Sequence, residues 1–171
     1  HVLWDGNRQI ASHDQPLIGP YDSGDDHALE CQVLLMKFCG LQGVIIDWYG
    51  IGEDLDHAAN HQHTLKLVSW LKRAELRFAV CYEDQALAKK SAKPADDASA
   101  TVQQAGEDLL WAQEHWFTDP SYLMYDNRPV LLMFGPQLLK QDQWAGIEAR
   151  LSKRPFTFAL PHLARSIGAE G

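Results

Sequence analysis

Short runs of apolar, β-branched residues alternate along this chain with longer segments of helical periodicity. The run from Gly43 to Trp48 contains Val-Ile-Ile with no polar residue between the aliphatic ones. Such a strand is buried on both faces, as in parallel sheets. Parallel strands need a crossover of about a dozen residues, which the intervening helical segments are long enough to supply. The alternation therefore predicts an α/β fold with a parallel sheet.

Four strands and the helices between them are expected. We predict parallel strands at residues 43–48, 78–82, 129–134 and 156–160. Helices are predicted at about 25–39, 60–74, 101–116 and 142–153. The whole of 1–171 is interpreted as a single domain, and its Ala-, Lys- and Asp-rich segment 89–100 as an exposed connector.

The length of the chain leaves two architectures open. A (β/α)8 barrel takes about 250 residues, whereas this chain has 171. The first architecture is a partial (β/α)8 TIM-type barrel, interpreted as the N-terminal half of a longer one, with exposed edges that favour self-association. The second is a complete flavodoxin-like α/β interaction domain, which predicts a sheet fully covered by helices and no open edge.

The acidic composition limits the partners. A net charge of −8 repels phosphate backbones and anionic membrane surfaces, so neither nucleic acid nor a membrane is an expected partner. No apolar run reaches the roughly 20 residues needed to cross a bilayer. The sequence leaves the localisation open: we expect a soluble protein, and a secreted or periplasmic full-length protein agrees with it.

The cysteines and histidines do not form a metal-binding pattern. Cys31, Cys39 and Cys81 are expected to be buried thiols, since an odd, sparse set without CxxC spacing is neither a disulfide framework nor a zinc site. His57 and His61 are four residues apart on a predicted helix, but nearby His63 is turned away from them. We therefore predict no metal and no cofactor.

Polar and aromatic residues cluster where two predicted strands end, the edge at which parallel α/β folds bind ligands. Carboxylates accept hydrogen bonds from sugar hydroxyls, and glycoside hydrolysis uses two carboxyl groups. We predict Glu83 and Asp47 as catalytic candidates. The substrate-binding candidates are Tyr21, Trp48, Tyr49, Tyr82, Asp84 and His162.

Each of these residues also has a structural interpretation. A carboxylate at a strand end often caps a helix or anchors a loop. Tryptophans on predicted helices are better explained by packing between helix and sheet, and this applies to Trp70, Trp111, Trp116 and Trp144.

Six short motifs follow one another in a defined order. They are Tyr21-Asp-Ser-Gly-Asp25, Leu34-Leu-Met-Lys37, Gly43-Val-Ile-Ile-Asp-Trp-Tyr-Gly50, Cys81-Tyr-Glu-Asp84, Arg128-Pro-Val-Leu-Leu-Met-Phe-Gly-Pro136 and Leu160-Pro-His162. Together they resemble the glycoside hydrolase family 71/99-like proteins, which include endo-α-mannosidases and α-1,3-glucanases.

The resemblance implies a (β/α)8 barrel that hydrolyses O-glycosyl bonds in α-linked glycans or polysaccharides. It also implies that the principal catalytic glutamate pair of the mannosidase branch lies outside this chain. Glu83 matches an earlier glutamate of that branch that contacts substrate, although the surrounding Tyr-Glu-Asp departs from the mannosidase motif. The predicted function is a glycoside hydrolase-like domain truncated before its main catalytic acids. The alternatives are a non-catalytic carbohydrate-binding domain and the flavodoxin-like interaction domain.

Overall fold

A computed structural model describes residues 16–52, 56–88, 98–134, 138–161 and 164–170. Its helices are α1 Asp26–Phe38, α2 His57–Arg73, α3 Gln85–Ala88, α4 Ala98–His115, α5 Gln141–Glu148 and α6 Ala164–Ile167. Its strands are β1 Gly43–Trp48, β2 Arg77–Tyr82, β3 Met124–Tyr125, β4 Arg128–Met133 and β5 Phe156–Ala159.

Four of the strands form a parallel sheet in which β1 pairs with β2, β2 with β4, and β4 with β5. The strands predicted at 43–48, 78–82, 129–134 and 156–160 are confirmed to within one residue at each end. The predicted connector at 89–100 lies outside the described residues up to position 97, and its last three residues form the start of α4.

A short antiparallel hairpin between β3 and β4 was not predicted. Tyr125 pairs with Arg128 across a two-residue turn in which Asp126 and Asn127 have φ values of 48° and 58°. Asp and Asn are the non-glycine residues that tolerate left-handed backbone best. The Asp-Asn pair was therefore the available signal, although β3 itself is too short to show a periodicity.

Helix α1 has a capped start and an uncovered outer face. The carboxylate of Asp25 accepts a 2.9 Å hydrogen bond from the backbone N–H of Ala28, so Asp25 is the N-cap of the helix. The helix buries Ala28, Leu29 and Val33. Large apolar side chains on its other side are exposed, among them Leu34, Leu35 and Phe38.

Helices α2, α4 and α5 pack against one face of the sheet. Trp48 contacts His61 of α2 and Trp111 of α4, while Tyr82 contacts Trp144 of α5. Both strand residues have 0% exposed surface. Trp111, Trp116 and Trp144 belong to the same core or pack against it, which confirms their predicted role.

The opposite face of the sheet, here called the open face, is formed by Ile45, Asp47, Cys81, Leu132, Phe134 and Phe158. Ile45 is 57% exposed and Phe134 is 53% exposed. In the described part of the chain, helices thus cover one face of the sheet. The flavodoxin-like alternative predicted a fully covered sheet and is wrong.

The thiols are less buried than expected. Cys39 is exposed, because it lies at the C-cap of α1 beyond the buried stripe of that helix. Cys31 and Cys81 are half-buried. Among the described helices, none has the length and apolar character that a membrane span requires.

Candidate functional site

The end of β1 carries two neighbouring polar side chains, Asp47 and Tyr49. The two side chains lie on the same face because they are two residues apart in extended chain. The Tyr49 hydroxyl and the Asp47 carboxylate lie close enough for each group to influence the pKa of the other. Asp47 reaches solvent, but the sheet around it removes part of its hydration and raises the pKa of its carboxyl group. The pair offers a donor and an acceptor to a polar ligand.

Asn60, one turn into α2, holds the backbone around this pair. Its Nδ2 donates to the carbonyl of Asp47 at 3.2 Å, and its Oδ1 accepts from the backbone N–H of Tyr49 at 3.3 Å. By holding the backbone of Asp47 and Tyr49, Asn60 helps to fix the position of both side chains. Sequence reasoning missed it, because an isolated Asn inside a helix has no distinctive spacing.

Glu83 follows β2 and lies near the Asp47–Tyr49 pair. Burial raises the pKa of the Tyr49 hydroxyl, and the charges of Asp47 and Glu83 raise it further. Burial and the same two carboxylates raise the pKa of the Cys81 thiol to about 11. The structure therefore brings together three predicted site residues, Asp47, Tyr49 and Glu83. It also places Cys81 of β2 directly beside Asp47.

Trp48 and Tyr82 lie on the other face of the sheet. Trp48 directly follows Asp47, and Tyr82 directly follows Cys81. The alternation of side chains along each strand therefore turns both aromatic rings toward the helices. The Trp48 ring N–H donates to Nδ1 of His61 at 3.2 Å, and burial lowers the pKa of that histidine. With 0% exposed surface, neither aromatic side chain lines a subsite. Their predicted contact with substrate is wrong.

A buried carboxylate on α4, Asp108, joins the ends of β1 and β2. It accepts hydrogen bonds from the Tyr82 hydroxyl at 2.6 Å and from the backbone N–H of Ile51 at 2.9 Å. Gly50 packs so closely that a Cβ there would lie 2.2 Å from Asp108 Oδ2. Asp108 thereby fixes the loop after Asp47 and Tyr49. It was missed because nothing in an amphipathic helix marks one acid as inward-facing.

Asp84 is also fully buried, and it anchors a loop. Its Oδ2 accepts from the backbone N–H groups of Leu138 and Leu139 at 3.0 and 3.1 Å. These residues follow β4, so Asp84 ties the connection after β4 to the end of β2. The predicted contact between Asp84 and substrate is wrong, since the carboxylate faces backbone amides inside the protein.

Two further candidates lie apart from this group. Tyr21 is 37% exposed and precedes α1, where the neighbouring Asp22 Oδ1 lies 3.8 Å from His63 Nε2. Its role in substrate binding stays a prediction. His162 lies outside the described residues.

The histidines near β1 contact aromatic rings. His57 is buried with its ring centroid 5.6 Å from that of Tyr49, and His61 accepts from Trp48. Within the ranges that the structure describes, no three His, Cys, Asp or Glu side chains form a group suited to a metal ion.

The fold was compared with known proteins. No protein-family model and no curated protein matches the sequence. A solved endo-α-mannosidase of family GH99 from Bacteroides thetaiotaomicron matches with a TM-score of 0.69 and 15% identity, over 95% of this chain and 47% of that one. A solved glycoside hydrolase-like protein matches with a TM-score of 0.67 and 11% identity, over 90% of this chain and 48% of that one.

The fold of this chain is similar to that of about half of each of these solved proteins. The predicted partial TIM-type barrel and the predicted likeness to glycoside hydrolases are confirmed at the level of fold. The chain spans about half the length of the solved proteins it matches. In such half-barrels the open face corresponds to the barrel interior, and Asp47, Tyr49 and Glu83 lie at its carboxyl end.

Proposed function

We propose that this half-barrel forms part of the substrate-binding cleft of a glycoside hydrolase that acts on α-linked glycans or polysaccharides. Asp47 and Glu83 hold sugar hydroxyls or assist catalysis, and Tyr49 contributes a hydroxyl beside Asp47. The observation that supports this most directly is their joint position. The three residues lie at the carboxyl ends of two adjacent parallel strands, close enough for both carboxylates to influence the pKa of Tyr49.

The electrostatics of the cluster agree with a polyol ligand. Two carboxylates beside a tyrosine provide several acceptors and one donor. Each sugar hydroxyl donates one hydrogen bond, and charge-assisted bonds to carboxylates are stronger than neutral ones. A raised Asp47 pKa also reduces the proton-transfer energy for general acid or base catalysis.

The edge of β1 supports a longer barrel as the setting of this cleft. In the described residues β1 pairs with β2 alone. A cavity of about 850 Å³ adjoins it at the amino ends of both strands, lined in part by Leu41, Val44 and Ile45. We propose that further strands and helices of the barrel cover this edge and the exposed face of α1, and that they carry the principal catalytic acids. Through the same surface we expect the chain to self-associate when it is produced alone.

Glycan binding and turnover by the full-length protein test the proposal. The probes are α-linked manno-oligosaccharides, chosen for the endo-α-mannosidase neighbour, and α-1,3-gluco-oligosaccharides. Glu83→Gln and Asp47→Asn keep the shape of each side chain and remove its charge. Glu107→Gln, an exposed change on α4, is the matched control.

Loss of binding or turnover of at least tenfold in either site variant, with Glu107→Gln unchanged, is the expected result (about 1.4 kcal/mol). Binding without hydrolysis in the full-length protein would instead identify a carbohydrate-binding domain. Equal turnover in Glu83→Gln and the unmodified protein would remove Glu83 from the site.

A further inference from the structure

The open face is acidic on one side and apolar on the other. On the β1–β2 side, Asp47 and Glu83 make it acidic. On the β4–β5 side, the residues in register with Cys81 are Leu132 and Phe158, both apolar and partly exposed. A ligand lying across the strands at this end therefore meets carboxylates on one side and hydrocarbon on the other.

Phe134 is the most exposed residue of the apolar side. Its side chain is 53% exposed, although a large aromatic ring gains about 2 kcal/mol from full burial. It follows β4 directly, two residues after Leu132, so strand alternation turns it to the open face. Its backbone N–H donates to the carbonyl of Tyr82 at 3.2 Å, which extends the β2–β4 ladder to the level of Glu83.

The backbone of Phe134 is held in place at the end of β4. Its amide bonds to the Tyr82 carbonyl and lies next to the Cys81 thiol, which is part of the open face. Four and five residues further along the chain, the N–H groups of Leu138 and Leu139 donate to the Asp84 carboxylate. The exposed ring is therefore carried by backbone that is hydrogen-bonded to the neighbouring strand.

We propose that Phe134 is the platform on which the apolar face of a pyranose ring packs, while the hydroxyls of the same sugar face Asp47 and Glu83. This inference rests on the proposed function and adds a specificity to it. The site selects neutral sugars that present a face of C–H groups opposite an edge of hydroxyls. Trp48 and Tyr82, which were predicted to contact substrate, cannot serve as this platform, since both rings are buried.

Two variants of Phe134 separate the flat ring from its apolar bulk. Phe134→Tyr keeps the ring, and Phe134→Leu keeps hydrocarbon of similar size without a flat face. Tyr125→Leu is the matched control, because Tyr125 is an equally exposed aromatic residue, at 57%, that lies at the amino end of β4. All variants are made in the full-length protein and titrated with an α-linked mannotetraose, with saturation-transfer NMR on the sugar protons.

Phe134→Leu is expected to weaken binding roughly fivefold to tenfold, the effect of one lost aromatic contact. It should also remove saturation from the ring C–H protons of the bound sugar unit. Phe134→Tyr and Tyr125→Leu should bind as the unmodified protein does. Unchanged affinity and unchanged saturation in Phe134→Leu would overturn the platform while leaving the proposed function intact. Absence of binding by the unmodified protein to any α-linked probe would overturn both.

Discussion

The hydroxyl of Tyr82 donates a 2.6 Å hydrogen bond to the carboxylate of Asp108 at a place where neither side chain has exposed surface. Burial and the adjacent carboxylate raise the pKa of the Tyr82 hydroxyl far above its usual range, so it stays protonated and remains the donor. The bond links β2 to α4, and the Asp108–Ile51 bond extends the link to the loop after β1. The backbone next to the candidate site is therefore held by two buried side chains, Tyr82 and Asp108, which are not accessible to a ligand.

Removing the Tyr82 hydroxyl should destabilise the fold. Tyr82→Phe leaves the ring in place and deprives a buried carboxylate of one donor, at a cost of about 1–3 kcal/mol in the free energy of unfolding. Urea denaturation measures the change. Tyr125→Phe alters an exposed hydroxyl and should stay within about 0.5 kcal/mol of the unmodified protein. Equal midpoints for both variants would show that the Asp108 bond contributes no stability.

The loop after β1 requires glycine at position 50. Gly50 has a φ of +90°, and a Cβ there would lie 2.2 Å from Asp108 Oδ2. Gly50→Ala should therefore lower the free energy of unfolding by more than 1 kcal/mol, through backbone strain and displacement of the carboxylate. Gly146→Ala is its counterpart in α5, where no atom lies within 4 Å of the added Cβ. That change should stabilise the protein by up to about 1 kcal/mol, so the two variants should shift the melting temperature in opposite directions.

The sequence was sufficient to predict where the strands of the sheet lie. It was not sufficient to predict the face of the sheet to which each site residue points. Continuous apolar runs located β1, β2, β4 and β5, because apolar and β-branched runs without alternation are typical of parallel strands. The same continuity hid the alternation of faces. Asp47 and Trp48 are neighbours in the sequence, yet one reaches solvent and the other has none. Which of two adjacent residues points to the helices depends on the register, and a run without alternation does not reveal it.

The buried carboxylates illustrate a second limit of sequence reasoning. Nothing in the residues next to Asp84 and Asp108 marks them as buried, and the backbone N–H groups that they bind lie 54 to 57 positions away along the chain. Only tertiary structure brings Leu138 to Asp84 and Ile51 to Asp108. An acid at a strand end was correctly identified as a candidate loop anchor, but the sequence could not show that Asp84 anchors a loop while Asp47 reaches solvent.

Asp84→Ala should reduce the protection of backbone amides in the segment after β4. The variant leaves the N–H groups of Leu138 and Leu139 without their shared acceptor, so both amides should exchange with solvent at least tenfold faster. Hydrogen exchange followed by NMR reads these amides individually. Asp142→Ala, an exposed acid in the first turn of α5, provides the comparison. Protection that survives in Asp84→Ala would contradict the anchoring role.

The raised pKa of Asp47 predicts a pH dependence with a definite sign. Its folded-state pKa lies above the unfolded value, so folding binds protons, and the stability from this group is complete below about pH 4. It is lost as the pH rises through the folded pKa. Asp47→Asn removes that loss and should be more stable than the unmodified protein at pH 7, by less than about 1 kcal/mol because solvent screens the exposed carboxylate. Urea denaturation from pH 3 to 8 should show the two curves converging at the acidic end.

Two cysteines should differ strongly in reactivity. Burial and nearby carboxylates raise the pKa of Cys81 to about 11, so almost none of it is thiolate at pH 8. Cys39 is exposed at the end of α1. Iodoacetamide at pH 8 should label Cys39 first, and labelling of Cys81 should rise only as the pH approaches 11. Peptide mass mapping distinguishes the two sites, and early modification of Cys81 would contradict the raised pKa.

Ile45 and Asp47 stand about 7 Å apart on the same face of β1. They lie in one row of side chains, yet their surroundings differ. Position 45 adjoins the cavity at the amino ends of β1 and β2, whereas position 47 faces solvent at the carboxyl end. The side chain at the carboxyl end of β1 can therefore change without altering the packing at the amino end, so the same sheet can present different chemistry at its carboxyl edge.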